Sequence, residues 1–403
     1  MPDMALAGIR VLDFTQYVAG PYCTKLLADY GADVIKVERP GQGDGARRMG
    51  PFPGDVPHPE MSGLFLHLNT NKKGITLDLK QPAARNIALQ LVKEVDLVVE
   101  SFRPGTMDAF GLGYDALRGI NPQLVMASIS NFGQTGPYRD FRLADIMVYG
   151  MGGEMCSTGL EEREPIKLGD NVLLYQAGAT ASVATMGALF MALEQGIGQQ
   201  VDVSIIETQI GSIDRRMSQL IAYQYTGDTT GRTGAGMGGY PSDAYPCEDG
   251  YLQVSSGGRY FPRIASMLGD PEFLNDPKWQ ADSAQADPGL KEEFEAHFLS
   301  WTLQRSKTEA WHVAQDSRVL SAPLYTMEEV ARDPVLLERG AFADIDHPVA
   351  GQLRYPGRPF IMDQSPWAVR HPAPLLGQHN QEVLLQLGYS REDIVLLRQQ
   401  GAI

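Results

Sequence analysis

"GIRVLDFTQYVAGPYCTKLLADYGADVIKVERPGQGD" occupies residues 8–44 and carries two strand-like runs around one helical run. Residues 9–15 (IRVLDFT) form a short apolar run of strand character. Residues 21–31 (PYCTKLLADYG) follow with helical spacing, opened by Pro21 and closed by Gly31. Proline suits the first turn of a helix, where the N–H has no partner, and glycine suits the left-handed exit. Residues 32–38 (ADVIKVE) then read as a second strand. A strand, a helix and a strand in so short a span make a βαβ unit, whose two strands run parallel because the helix carries the chain back. The alternation continues, with strands expected at 74–80, 95–102, 123–133 and 199–207 and helices at 82–94 and 113–119. This predicts an α/β protein built on a doubly wound, Rossmann-like parallel sheet. Such sheets bind ligands beyond the carboxyl ends of their strands. Those ends carry Thr15–Ala19, Arg39, Lys80, Ser101–Arg103 and Ser130–Gly133.

The remainder of the chain divides by texture. Residues 1–225 read as a large domain. The Gly- and Thr-rich stretch 226–243 is a linker into a smaller α+β domain, 226–325 in all, with a strand at 250–256. Residues 326–403 return to complete the large domain and close with a helix at 381–400. The stretch from Asn171 to Leu193 holds no charged side chain, so length alone would let it cross a bilayer. Gln176, Gly178, Thr180, Ser182, Thr185 and Gly187 weaken that reading, and no Lys/Arg-rich flank follows. A helix packed closely within the protein fits better. Asp170 stands at its head, where the ordinary role of an Asp is an N-cap.

Composition narrows the function. A net charge of -15 argues against a nucleic-acid partner. Cys23, Cys156 and Cys247 are too few and too scattered for a disulfide framework and point to a reducing, cytoplasmic setting. The N-terminus shows no basic and apolar regions of a signal peptide. The seven histidines form no metal-binding spacing, and no metal is expected. Gly234, Gly236 and Gly239 spell GxGxxG, but without a preceding strand they read as a loop rather than a dinucleotide site.

Motifs along the whole chain then resemble one family. Residues 8–44, NTNKKGITLDLK (69–80), ESFRPGTM (100–107), FGQTGPY (132–138), Gly169–Asp170 and APLLGQHNQEVL (373–384) resemble, in order, the blocks of class III CoA-transferases, the family of formyl-CoA and carnitine CoA-transferases. The resemblance implies an interlocked, ring-like dimer, as a homodimer or a heteromer with a related subunit. Acyl-CoA and carboxylic acid are then substrates, with no tightly bound cofactor. It implies Asp170 as the nucleophile that attacks the thioester and passes through an anhydride and an aspartyl-CoA thioester. A nucleophilic carboxylate must be ionised, and the positive end of a helix favours that form. Matching blocks place the CoA site at Gln16, Val18, Ala19, Arg39, Leu77, Leu79, Lys80, Ser101, Phe102, Arg103, Ser130 and Phe132.

The departures are specific. Gln16 stands where formyl-CoA transferases have a His and Val18 where they have a Gln; Ala109 replaces a phosphate-binding Arg, for which Arg103 is the substitute. These changes argue against formyl or oxalate specificity, and a succinyl-CoA donor is the expectation. The family also contains 2-methylacyl-CoA racemases, whose acid/base His after TGPY is matched here by Ala144, which ranks that reaction second. A mobile glycine-rich loop is expected at 255–258, with 231–239 as the alternative.

Overall fold

The computed structural model describes residues 4–403 apart from 213, 230, 233–238, 258–259, 271, 273–274 and 281–282. The GxGxxG glycines Gly234 and Gly236, residues 233–238 of one loop candidate and Gly258 of the other lie outside the described residues.

Six strands form the central sheet: β1 (Arg10–Phe14), β2 (Asp33–Glu38), β3 (Lys72–Thr76), β4 (Leu97–Glu100), β5 (Val125–Ser130) and β6 (Gln200–Ser204). All neighbours pair in parallel, in the order β3-β2-β1-β4-β5-β6. The chain winds outward from β1 in one direction and then from β4 in the other. The turns after β1 and β4 therefore diverge and leave a crevice between them, the switch point of such sheets.

Alternate residues of each strand feed two separate cores, as the two-residue period requires. Leu12, Phe14, Ile35, Val98 and Met126 lie on the face that packs against α2 (Pro82–Val92) and the C-terminal segment. Val11, Val34, Leu97, Val99 and Ala127 face α1 (Ala19–Asp29) and the long uncharged helix. After α3 (Tyr114–Arg118) and α4 (Asp145–Met151), that helix is α5 (Val172–Gln195). It is long and apolar enough to cross a membrane, yet Leu173, Ala177, Ala181, Thr185, Leu189 and Ala192 are buried along one side. Gly178 lets it sit against α1, because a β-carbon there would lie 2.4 Å from the Ala19 carbonyl oxygen.

Two compact units emerge. The first comprises Met1–Met155, Lys167–Thr229 and Glu338–Ile403; the second comprises Cys156–Ile166 and Thr230–Leu337. In the second, β7 (Ala244–Cys247), β8 (Gly250–Val254) and β9 (Ser321–Pro323) form an antiparallel sheet. It is covered by an aromatic core that includes Tyr240, Phe261, Trp279, Phe294 and Phe298. The first unit also holds a hairpin of β10 (Phe342–His347) and β11 (Gly351–Pro356), for which the sequence raised no expectation.

The structure corrects two readings of local structure. Residues 381–400 are two helices, α6 (Asn380–Gln386) and α7 (Arg391–Gln399). Gly388, at φ 89°, ends the first, and Ser390 caps the second in a reciprocal box with Asp393. The strands also stop short of their expected ends. Glu100 turns its own carboxylate back to accept the Phe102 N–H at 2.8 Å, so residues 101–103 leave the ladder and form a turn.

Candidate active site

The crevice at the switch point holds a cavity of about 1060 Å³, at the top of the range of ~300–1,000 Å³ typical of ligand sites. Three strand ends supply its floor. Gln16, Val18 and Ala19 come from the turn after β1, Ser101, Phe102 and Arg103 from the turn after β4, and Ser130 from the end of β5. Seven residues singled out in the sequence thus meet in one place. They meet because each follows a parallel strand of the same sheet.

The turn after β1 is tied down closely. Gln16 donates its backbone N–H to Ser101 Oγ at 3.0 Å, which joins the two turns. Below it, Asp13 is fully buried and accepts from the Thr15 N–H at 2.8 Å and the Thr24 hydroxyl at 2.6 Å. Burial works to raise its pKa, but Lys72, Lys36 and the two hydroxyls outweigh it and hold the carboxylate below its ordinary value. Ser130 Oγ is buried with no hydrogen-bond partner among the described residues.

Three arginines give the site its charge. Arg103, Arg139 and Arg142 all line the cavity. Arg103 and Arg142 neither donate a hydrogen bond nor pair with a carboxylate among the described residues, and Arg139 reaches only Asp140, at 4.0 Å. In a protein of net charge -15, three guanidiniums line this one cavity, together with the carboxylates of Asp140 and Asp145. Sequence reading found Arg103 alone; Arg139 and Arg142 sit in a segment that carries no period of helix or strand. Phe132 does not line the cavity, but its ring packs on Tyr138 and on the lining residue Phe141, at centroid distances of 5.4 and 6.4 Å.

Other expected residues fall elsewhere. Arg39 is exposed and donates to Gln42 Oε1 at 3.0 Å; Lys80 is also exposed. Neither lines the cavity. The side chains of Leu77 and Leu79 are committed to the core beside Ala84 and Ile87.

Asp170 is exposed and is not an N-cap. Asn171 takes that position, with no side-chain capping bond, and Asp170 precedes it at φ 52°, a left-handed conformation unusual for a residue with a β-carbon. The reason lies in Lys167. Its ammonium pairs with Asp145 at 3.0 Å and donates to the carbonyls of Leu168 (2.9 Å) and Asp170, curling the chain before the helix. Asp170 is not among the residues that line the cavity, whereas Asp145 and Leu174, one turn beyond Asp170, are. Tyr175 lies beside Tyr22, ring edge to face at 4.9 Å. Burial first, then Tyr22 and the Asp170 charge, pushes its phenol up to about 12, so it stays a neutral donor.

Near the cavity Glu100 is a buried carboxyl. Burial pushes it up to about 7 against the bonds from Ser128 and the Phe102 N–H, and Asp108 and Asp202 add to the rise. Among the described residues no cluster of His, Cys, Asp and Glu forms a metal site.

Comparison with known proteins identifies the family. Residues 6–380 match the family described as CoA-transferase family III. The chain is 33% identical to a succinyl-CoA–D-citramalate CoA-transferase of Chloroflexus aurantiacus, covering 100% of this chain and 99% of that one. It is 33% identical to a formyl-CoA:oxalate CoA-transferase of Afipia carboxidovorans, over 99% and 97% of the two chains. Among solved structures, a CaiB/BaiF family protein from Brucella suis superposes with a TM-score of 0.85 at 29% identity, over 96% of this chain and 100% of that one.

Proposed function

This chain belongs to CoA-transferase family III, and we propose that it moves CoA from a donor thioester to a free carboxylic acid with Asp170 as nucleophile. The observation that carries the reading is the cavity at the switch point of the sheet, with Arg103, Arg139 and Arg142 around it in an otherwise acidic protein. Coenzyme A is long and bears several phosphate charges. It needs both the volume and the guanidiniums, which bind phosphate oxygens in pairs.

The steps follow from the nucleophile. The Asp170 carboxylate attacks the thioester carbonyl, the C–S bond breaks, and CoA leaves as thiolate from a mixed anhydride. The thiolate returns to the aspartyl carbonyl and expels the donor acid, leaving an aspartyl-CoA thioester. The acceptor carboxylate attacks that thioester to give a second anhydride. The thiolate then attacks the acceptor's carbonyl, releasing the new acyl-CoA and the free Asp170. Covalent relay divides one hard exchange into easier displacements. In this reading Tyr175, whose ring packs against Tyr22 and whose phenol stays neutral, serves as a hydrogen-bond donor toward the reacting carboxylate.

For the substrates we favour a succinyl-type donor and a larger or aromatic-substituted acid as acceptor. The Chloroflexus relative is named for a succinyl donor. Gln16 and Val18, on the cavity wall, replace the His and Gln that resemblance associates with formyl transfer. Arg39, Leu77, Leu79 and Lys80 stay in the proposal as the outer, nucleotide end of the site. The racemase alternative ranks below because Ala144, on the cavity wall, presents a methyl where an acid/base group is needed.

The reading extends to assembly. On α5, Val183, Phe190 and Leu193 are 73%, 67% and 61% exposed. Spaced at three and seven residues, they form an apolar stripe of the kind that marks a protein interface. A second copy of the chain is our choice of cover, with a related sister subunit as the alternative. Three unpaired cysteines suit the reducing cytoplasm. The test is a panel of acyl-CoA donors and free acids followed by mass spectrometry. Label exchange between donor and acceptor CoA esters supports the reading. Epimerisation of a 2-methylacyl-CoA without exchange would replace it.

A further inference from the structure

We propose that Asp44 is a positioning residue that, with Lys36, fixes the backbone of the turn forming one wall of the cavity. The proposal rests on the reading of that cavity as the CoA site. The side chains of both residues are completely buried and pair at 2.9 Å. Each also holds one backbone group of the turn. Lys36 Nζ donates to the Thr15 carbonyl at 2.9 Å, and Asp44 Oδ1 accepts the Tyr17 N–H at 2.9 Å. These two groups flank Gln16, whose own N–H goes to Ser101. Three consecutive residues, of which Gln16 and Tyr17 line the cavity, are thus held by one ion pair and one hydroxyl.

The conformation held is not one the turn would choose. Tyr17 sits at φ 66°, where a β-carbon crowds the backbone. Its ring lies over Gly45, where any β-carbon would come within 2.3 Å of it. Asp44 is itself braced. Its N–H donates to Glu38 Oε2 at 2.8 Å, and Arg47 grips both oxygens of Glu38 at 2.7 Å. A buried ion pair is a poor source of stability, because desolvation offsets the attraction. It is a good source of fixed geometry. Here that geometry belongs to the residues that face the ligand, which a purely structural pair would not require.

The test measures CoA affinity by calorimetry and melting temperature on the same variants, well below every melting point. Asp44→Asn keeps an oxygen for the Tyr17 N–H but removes the ion-pair partner of Lys36, so it should melt lower and bind CoA within about threefold of wild type. Asp44→Ala removes the acceptor and should weaken CoA binding by about tenfold, the usual effect of losing one hydrogen bond to a charged group. In the exchange assay, the loss should fall on KM for acyl-CoA and leave kcat nearly intact. If Asp44→Ala does not fold, the double variant Lys36→Met/Asp44→Asn replaces it. That variant buries no orphan charge but frees the Thr15 carbonyl, and it should bind CoA at least about threefold more weakly. A folded Asp44→Ala with wild-type affinity, affinities that track melting temperature alone, or a double variant with unchanged affinity would each overturn the proposal. Failure of the wild type to bind CoA would instead overturn the reading of the cavity.

Discussion

Gly178→Ala sets two effects of opposite sign against each other. Alanine in a helix interior is better than glycine by about 0.8–1 kcal/mol, so propensity alone predicts a more stable protein. Packing predicts the reverse. The new β-carbon would lie 2.4 Å from the Ala19 carbonyl oxygen and 3.2 Å from Tyr22 Cβ, whereas ordinary contact starts near 3.4 Å. The closest obstacle is a backbone atom in the first turn of α1, which cannot rotate aside. The two helices must part by about 1 Å, and overpacking of this kind costs about 1–3 kcal/mol. With backbone as the obstacle, the upper part of that range applies. The net expectation is a loss of about 1–2 kcal/mol, or a few degrees of melting temperature. Ala19 also lines the cavity, so CoA affinity should fall in the same variant. Urea unfolding and calorimetric CoA titration check both. A Gly178→Ala protein more stable than wild type, with unchanged affinity, would refute close α1–α5 packing and its link to the site.

Glu100 should make stability fall as pH rises. Its pKa is raised in the fold from 4.5 to about 7, so between those values the folded state binds more protons than the unfolded state. The cost is absent below pH 4.5 and complete above about 7, where 1.36 kcal/mol per pH unit makes it about 3 kcal/mol. Glu100→Gln should remove that slope and stabilise the protein at pH 8, as read by urea unfolding across pH; an unchanged slope would contradict the burial argument. Replacing both Arg139 and Arg142 with Ala should weaken CoA binding at least tenfold and flatten its dependence on salt, because screened charge contacts are lost. Equal affinity at low and high salt in wild type would speak against those arginines. Phe190→Glu, placed in the apolar stripe of α5, should shift the protein toward monomer in analytical ultracentrifugation; a wild type that is already monomeric at micromolar concentration would remove the proposed interface.

The parallel sheet was legible in the sequence because its strands are short apolar runs alternating with amphipathic helices, a pattern set by burial on both faces. Strand ends were less so. The strand expected over 95–102 stops at Glu100, and only the return of the Glu100 carboxylate to the Phe102 N–H shows that the ladder has ended there. Asp170 illustrates a different gap. Its position before a helix is plain from the sequence, but the bond from Lys167 to its carbonyl depends on Asp145, 22 residues before Lys167, pairing with the same ammonium, which no local pattern encodes. The same holds for Arg139 and Arg142, which reach the cavity through a loop. Leu77 and Leu79 mark the converse case, where a motif match says nothing about which atoms of a residue the core already occupies. Segment 156–166 packs with the second unit although it is far from it in sequence, and its composition gives no sign of that.

The central claim is that Asp170 carries the acyl and CoA groups in turn. Incubating the protein with an acyl-CoA donor and no acceptor acid, quenching rapidly and weighing the intact chain tests it most directly. The expected result is a mass gain equal to CoA linked as a thioester, located at Asp170 by peptide mapping, released by hydroxylamine and missing in Asp170→Asn. Active exchange with no such adduct at Asp170, or an adduct that persists in Asp170→Asn, would contradict it.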